Sequence, residues 1–274
     1  MGPQVVRTIR SLSPRIQREV NRDGYEIIVV DNGSPRPIDR AACEQWGAPV
    51  RWLVVDDAPP SPARAVNLGI AEARGPLVGV MVDGARLASP GLLRAAELAA
   101  KLEERALVLS HGYHLGFQTQ QRAVASGYDE RTETALLRES GWEEDGYRLF
   151  DVSVPGESSR NGPFELPFES NALFMRREMW EELGGYDEAF TSPGGGLVNL
   201  DVMVRACTMP NAVPIVLLGE ATFHQVHGGA TTNSDSNRWD VLHAEYMKLR
   251  GAPFGLPEAA PMLFGLRQPP LPRK

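Results

Sequence analysis

Short apolar runs closed by acids or turn residues recur along the first 111 positions. "YEIIVV" (25–30) ends in the turn "DNGSP" and reads as a buried strand. "VRWLVV" (50–55), "PLVGVMV" (76–82) and "ALVLSH" (106–111) repeat the pattern, the third run ending at Asp83. Helical spacing fills the gaps. In "PARAVNLGIAEARG", Ala65, Leu68 and Ala71 or Glu72 fall one turn apart, and Gly75 is the stop. "SPGLLRAAELAAKLEER" offers Ser89 as N-cap and Pro90 in the first turn. Strands alternating with helices predict a three-layer α/β fold, its sheet mixed but mainly parallel, with helices on both faces.

From about 112 to 166 the periodicity dissolves into a polar stretch rich in Gly, Glu and Arg. A segment that long inside a compact domain reads as a lid or a partly helical insertion. Order returns with the strand "NALFMRR" (171–177), the helix "REMWEELGG", the strand "AVPIVLLG" (212–219) and a last helix over about 237–250. The tail, 251–274, is Pro-rich. The expectation is one domain over 1–274, with 1–111 as one half of a binding cleft and 112–250 as the other.

The bulk numbers narrow the function. The chain has 274 residues, 42% of them hydrophobic, enough for one large core. Lys and Arg total 28 against 35 Asp and Glu, a net charge of −7. That balance argues against tracking a nucleic-acid backbone or an anionic membrane, since both need excess positive charge. No apolar run approaches the ~20 residues of a membrane span, and "MGPQVVRTIRSLSPR" lacks the apolar core of a signal peptide. Cys43 and Cys207 fit no metal spacing and read as reduced thiols of a cytoplasmic protein.

Ligands of open α/β sheets bind beyond the carboxyl ends of the strands. Asp31, Asp56, Asp57 and Asp83 all sit at such ends and point to one cleft, although acids also end strands simply by favouring turns. "YEIIVVDNGSP", "RAVNLGIAEARGPLVGVMVDGA" and "FMRREMWEELGGYDEAF" together resemble the landmarks of family 2 glycosyltransferases of the GT-A fold, over about 7–227. The resemblance implies transfer of a sugar from a nucleotide-sugar donor, UDP- or GDP-linked, to an acceptor hydroxyl, with inversion and with a divalent metal, Mn²⁺ or Mg²⁺.

Residue by residue, it gives Asp31 the nucleobase, with Asn32 and Ser34 shaping that turn, and sets Arg64 and Asn67 towards the nucleotide. "VDGA" (82–85) corresponds to the family's D-x-D motif. Asp83 matches its first Asp and would touch nucleotide or metal. The third position, normally a metal ligand, is Ala85, and Arg86 beside it would supply charge instead. "ATFHQVHGG" offers a second metal ligand, His224 in preference to His227. "GPFELPFESN" would supply Glu165, Glu169 and Asn171 to acceptor hydroxyls, while Trp180 and Tyr186 would pack the fold or stack on a sugar.

Two departures stand out. In "PGGGLVNLDVMVRA" (193–206) the family's catalytic base aligns with Asn199, and an amide cannot take a proton. Asp201 is then the favoured base, carried into place by the glycines, or else a helix support with Asn199 orienting the acceptor. The loop is no phosphate cradle, because it lacks a G-K-[S/T] ending. The opening "MGPQVVRTIRSL" also lacks the strand and turn with which members of the family begin. A binding module without turnover is the alternative that both Ala85 and Asn199 favour. A nucleotidyltransferase or a dinucleotide-dependent oxidoreductase is weaker, since neither phosphate-binding loop is present.

Overall fold

The computed structural model describes residues 2–227 and 237–266. The chain opens with α1 (Gly2–Ser11), β1 (Ile27–Asp31), α2 (Arg40–Glu44), β2 (Val50–Val54), α3 (Ala63–Glu72) and β3 (Leu77–Val80). β4 (Arg86–Ala88), α4 (Leu92–Ala99) and β5 (Ala106–Leu115) follow. The aperiodic stretch is partly helical, holding α5 (Gln120–Ala125), α6 (Glu130–Ser140) and β6 (Ser153–Pro155). β7 (Leu173–Arg176), α7 (Arg177–Leu183), α8 (Val198–Cys207), β8 (Val213–His224), α9 (Asn237–Arg250) and β9 (Met262–Gly265) complete it.

The fold is a mixed α/β sandwich. β1 and β2 form a parallel pair, and a seven-stranded sheet runs β3-β7-β5-β8-β4, with β6 on β5 and β9 on β8. Within it β5–β8 and β8–β9 are parallel. The β3–β7, β5–β7, β4–β8 and β5–β6 pairings are antiparallel, so the parallel share is smaller than the helix–strand alternation suggests. The cause is β7, which arrives after the long excursion and inserts between β3 and β5 in the opposite direction. Among the described residues β1 pairs only with β2, and β3 only with β7.

Alternate side chains of the central strands feed two apolar layers. Leu107, Leu109, Leu173, Met175 and Val216 pack with Trp180 of α7 and with Val198, Val202 and Met203 of α8. Ala106, Val108, Ile215 and Leu217 meet Leu92, Ala95, Ala96 and Ala99 of α4. Fully burying a Leu- or Met-sized side chain contributes about 1.5–3 kcal/mol, so these layers hold the sheet. Trp180 and Tyr186 belong to the first layer, each 1% exposed, and are not sugar platforms. The Trp180 indole donates to the Val78 carbonyl at 3.0 Å, and the Tyr186 hydroxyl meets that of Ser170 at 3.0 Å. Gly184 ends α7 in the left-handed region, φ 73°, as the sequence predicts.

Ser89 does not cap α4, which starts at Leu92 behind Gly91. Its hydroxyl donates instead to the buried Glu220 carboxylate and accepts from the Ala221 N–H at 2.9 Å. A serine beside a proline looks the same in sequence whether it caps a helix or crosses to a neighbouring strand.

Candidate active site

The site is built where β4 pairs antiparallel with the end of β8, which sets Arg86 opposite His224 and brings the 82–85 turn against the 224–227 turn. Gln225 N–H donates to the Ala85 carbonyl at 2.7 Å, joining the two turns directly. α1 braces both from behind: Thr8 Oγ1 donates to the Gly84 carbonyl at 3.0 Å, and Gln4 Nε2 to the Val226 carbonyl at 3.1 Å. From α6, the buried Glu133 accepts the Val226 N–H at 2.7 Å.

Asp83 lies in the left-handed region, φ 67°, which costs a non-glycine residue of order 1 kcal/mol or more. Its own carboxylate offsets part of that by accepting the Ala85 N–H at 3.0 Å, the bond that makes Asp tolerant of such turns. The other oxygen stands 3.2 Å from His224 Nε2 and 3.8 Å from Arg86 Nε. His227 Nε2 lies 3.2 Å from His224 Nε2. Ligand atoms of Asp83, His224 and His227 therefore all fall within 4.8 Å of one another.

The electrostatics keep Asp83 ionised. Burial works to raise the Asp83 pKa, but His224 and Arg86 outweigh it and hold the carboxyl well below the usual carboxylate range. Burial, with the His224 and Arg86 charges, lowers the His114 pKa to about 3. Burial also lowers that of His227, to about 4, against the pull of Asp83. At neutral pH His227 is a neutral imidazole, the form that offers a lone pair to a metal. One carboxylate oxygen and two imidazole nitrogens suit Mn²⁺ better than Mg²⁺, which prefers oxygen alone.

Arg86 is 6% exposed and extends away from this cluster. Its Nη1 donates to Asn171 Oδ1 at 3.0 Å and its Nη2 to Glu169 Oε1 at 3.3 Å. Gly112 makes room for Asn171: a Cβ there would stand 2.2 Å from Oδ1. Asp83, Glu169 and Asn171 are thus brought together through one guanidinium, and His224 joins them through Asp83. Glu165 is exposed on the preceding loop and stays outside this network.

Of the residues assigned to the nucleotide, Asp31 ends β1, Asn32 and Ser34 lie in the turn after it, and Arg64 and Asn67 lie on α3. Asp31 accepts the Ser34 N–H at 2.8 Å, and Asn32 Nδ2 donates to the Pro59 carbonyl at 2.9 Å, tying the two turns together. A cleft of about 420 Å³ is lined by Val55, Asp56, Arg64, Asn67, Leu68 and Glu188. Arg64 is exposed there. Asn67 is committed to the scaffold: it accepts the Tyr186 N–H at 2.8 Å and donates to the Tyr186 carbonyl at 2.8 Å and to Glu188 at 2.9 Å.

The acids of α8 depart most from expectation. Asp201 is 0% exposed, and its oxygens receive Arg205 Nε at 2.7 Å and Arg250 Nη2 at 2.8 Å, with Arg250 Nε on the remaining oxygen. A carboxylate held by two guanidiniums in the interior supports a helix and is not presented to a substrate. Asn199 is half-buried, and its Oδ1 meets no hydrogen-bond donor of the described protein. The three glycines adopt φ of 77°, 84° and 55°, and Gly195 packs on Pro62 ahead of α3. They fold the loop back onto the scaffold, which is what their conformational freedom serves here.

Residues 2–156, more than half of the chain, match the family described as "Glycosyl transferase family 2". The chain belongs to that family of glycosyltransferases. Its fold is similar to that of S. aureus TarS, with a TM-score of 0.54 at 14% identity over 81% of this chain and 34% of that one. TarS 1–349 in complex with UDP-GlcNAc gives 0.54 at 12%, over 89% and 62%. GalNAc-T7 with UDP, GalNAc and Mn²⁺ gives 0.54 at 12%, over 85% and 42%. The chain therefore spans between about a third and 62% of the length of these structures. No curated protein matches it by sequence. None of its described helices is long and apolar enough to cross a membrane.

Proposed function

We propose that this chain transfers a sugar from a UDP- or GDP-linked donor to the hydroxyl of a glycan or small-molecule acceptor, with inversion. The reading is carried by the convergence of Asp83, His224 and His227 within 4.8 Å beside the buried Arg86. These three would hold a divalent cation, Mn²⁺ by the donor set, and Arg86 adds the positive charge that Ala85 fails to recruit. Such a cation, when bound, neutralises the charge developing on a departing diphosphate. The nucleotide lies towards Asp31, Asn32, Ser34 and Arg64. Glu169 and Asn171, oriented by Arg86, face the acceptor hydroxyl, and catalysis comes mainly from positioning.

Among the described residues, no carboxylate stands free at the base position on α8. Asp201 is engaged by two arginines and Asn199 is an amide, which favours a second reading: a nucleotide-sugar-binding module with little turnover. Calorimetric titration with UDP and GDP, each with and without Mn²⁺, tests the donor site. Metal-dependent binding of one nucleotide is the expected result, and binding of neither overturns both readings. Release of free sugar or formation of a glycoside from the matching donor then separates transferase from module.

A further inference from the structure

Gln120, the first residue of α5, is 3% exposed and touches two histidines of the cluster at once. Its backbone N–H donates to His114 Nδ1 at 2.9 Å. Its side-chain Oε1 lies against His224 Nδ1, while its Nε2 donates to the Gln225 carbonyl at 3.3 Å. The orientation of the amide is fixed by that carbonyl. Turned over, Oε1 would face the Gln225 oxygen, acceptor against acceptor, so the NH₂ belongs on Gln225 and the oxygen on His224.

The proton ledger of the two rings then follows. A backbone N–H on His114 Nδ1 makes that nitrogen an acceptor and leaves the His114 proton on Nε2. A carbonyl oxygen on His224 Nδ1 requires a proton there, which makes Nε2 the nitrogen that would turn a lone pair to a metal. His224 Nε2 faces Asp83 Oδ2 at 3.2 Å, on the side where a cation would bind. We infer that Gln120 is a positioning residue that holds a proton on His224 Nδ1 and excludes one from His114 Nδ1, and so assigns His224 Nε2 as the metal-facing atom. The metal half of this inference rests on the cation site proposed above; the tautomer half does not.

Nitrogen-15 imidazole spectra of the metal-free protein at pH 8 test the tautomers. The expected result is His224 protonated on Nδ1 and His114 on Nε2. Gln120→Met removes the side-chain acceptor but keeps the backbone N–H. It should release His224 towards the Nε2–H form, leave His114 unchanged as an internal control of folding, and weaken Mn²⁺ binding by about 10-fold or more, as other groups that orient metal-bound histidines do. His224 without a proton on Nδ1, or His114 with one there, in the unsubstituted protein overturns the assignment. So does a Gln120→Met variant with unchanged His224 spectra and Mn²⁺ affinity. Expected tautomers in a protein that binds no Mn²⁺ would overturn the metal reading and leave Gln120 as the tautomer-setting residue.

Discussion

Arg250 of α9 closes on Asp201 of α8 across 49 positions of sequence, its Nη2 2.8 Å from Oδ2 and 2.6 Å from Asp187 Oδ2. Arg205, one turn along α8, takes the same Asp201 oxygen at 2.7 Å and donates onward to the Leu183 and Gly185 carbonyls. One buried carboxylate thus fastens three segments. Removing a partner from such a pair leaves uncompensated charge and costs about 3–5 kcal/mol. Arg250 and Arg205 are each a quarter exposed, which favours the lower end. Asp201→Asn should lower Tm by roughly 6–12 °C, at 2–4 °C per kcal/mol for a chain near this size. A variant with unaltered Tm and abolished turnover would restore Asp201 as the base.

The cation site predicts its own selectivity. Two imidazoles and one carboxylate should bind Mn²⁺ more tightly than Mg²⁺, because nitrogen ligands suit the softer ion. Asp83→Ala removes the only anionic member of the cluster and should weaken Mn²⁺ binding by at least about 10-fold, more than the loss of an orienting neighbour. Titration of Mn²⁺ followed by its paramagnetic resonance signal, with Mg²⁺ as competitor, reads both effects. Equal affinity for the two ions, or an Asp83→Ala variant that binds as before, would remove the cation from this site.

Glu133 gives a pH dependence with a definite sign. Burial pushes its pKa from the ordinary 4.5 up to about 7, although the Val226 N–H and the Arg7 charge work against the rise. An acid whose folded pKa lies above its unfolded value favours folding while protonated. That contribution is whole below pH 4.5 and is lost as pH rises through about 7. The gap corresponds to ~3 kcal/mol. Glu133→Gln keeps an oxygen for the Val226 N–H and cannot ionise. Urea unfolding at pH 4.5 and pH 8 should show the unsubstituted protein losing ~3 kcal/mol more than the variant over that interval. Parallel losses would show that Glu133 keeps its ordinary pKa.

Where the sequence alternates cleanly, the elements are legible. "YEIIVV" and "VRWLVV" hold β1 and β2, and "REMWEELGG" holds α7 with its Gly184 stop. β5 and β8 run past their predicted ends at 111 and 219 because their distal parts carry His114, Thr222 and His224 in the sheet. His114 and His224 there adjoin the site, and a reading based on apolar periodicity stops short of them. The spacing of His224 and His227 flagged the cluster, but Gln120 sits in an aperiodic stretch more than a hundred positions from His224, and no local signal marks it. Asp201 misled for a related reason. An acid near a glycine loop looks available until Arg250 folds back upon it.

Asn199 offers the sharpest test of what this chain lacks. The sequence resemblance aligns it with the base of family 2 members; it stands at the start of α8, and its half-buried Oδ1 has no donor among the described residues. Asn199→Asp replaces an amide with a group of the same shape that takes a proton. Desolvation there raises the pKa of a carboxyl, towards the range in which a general base works best. A positioned base contributes typically 10²–10⁴-fold, so on a chain with an intact donor site the substitution should raise turnover by about 10²-fold and leave nucleotide affinity unchanged. Measured with the donor that calorimetry selects, an increase identifies this chain as a transferase slowed at one atom. An unchanged rate with intact nucleotide binding would place the base elsewhere, with Glu169 on the Arg86 guanidinium the next carboxylate to substitute.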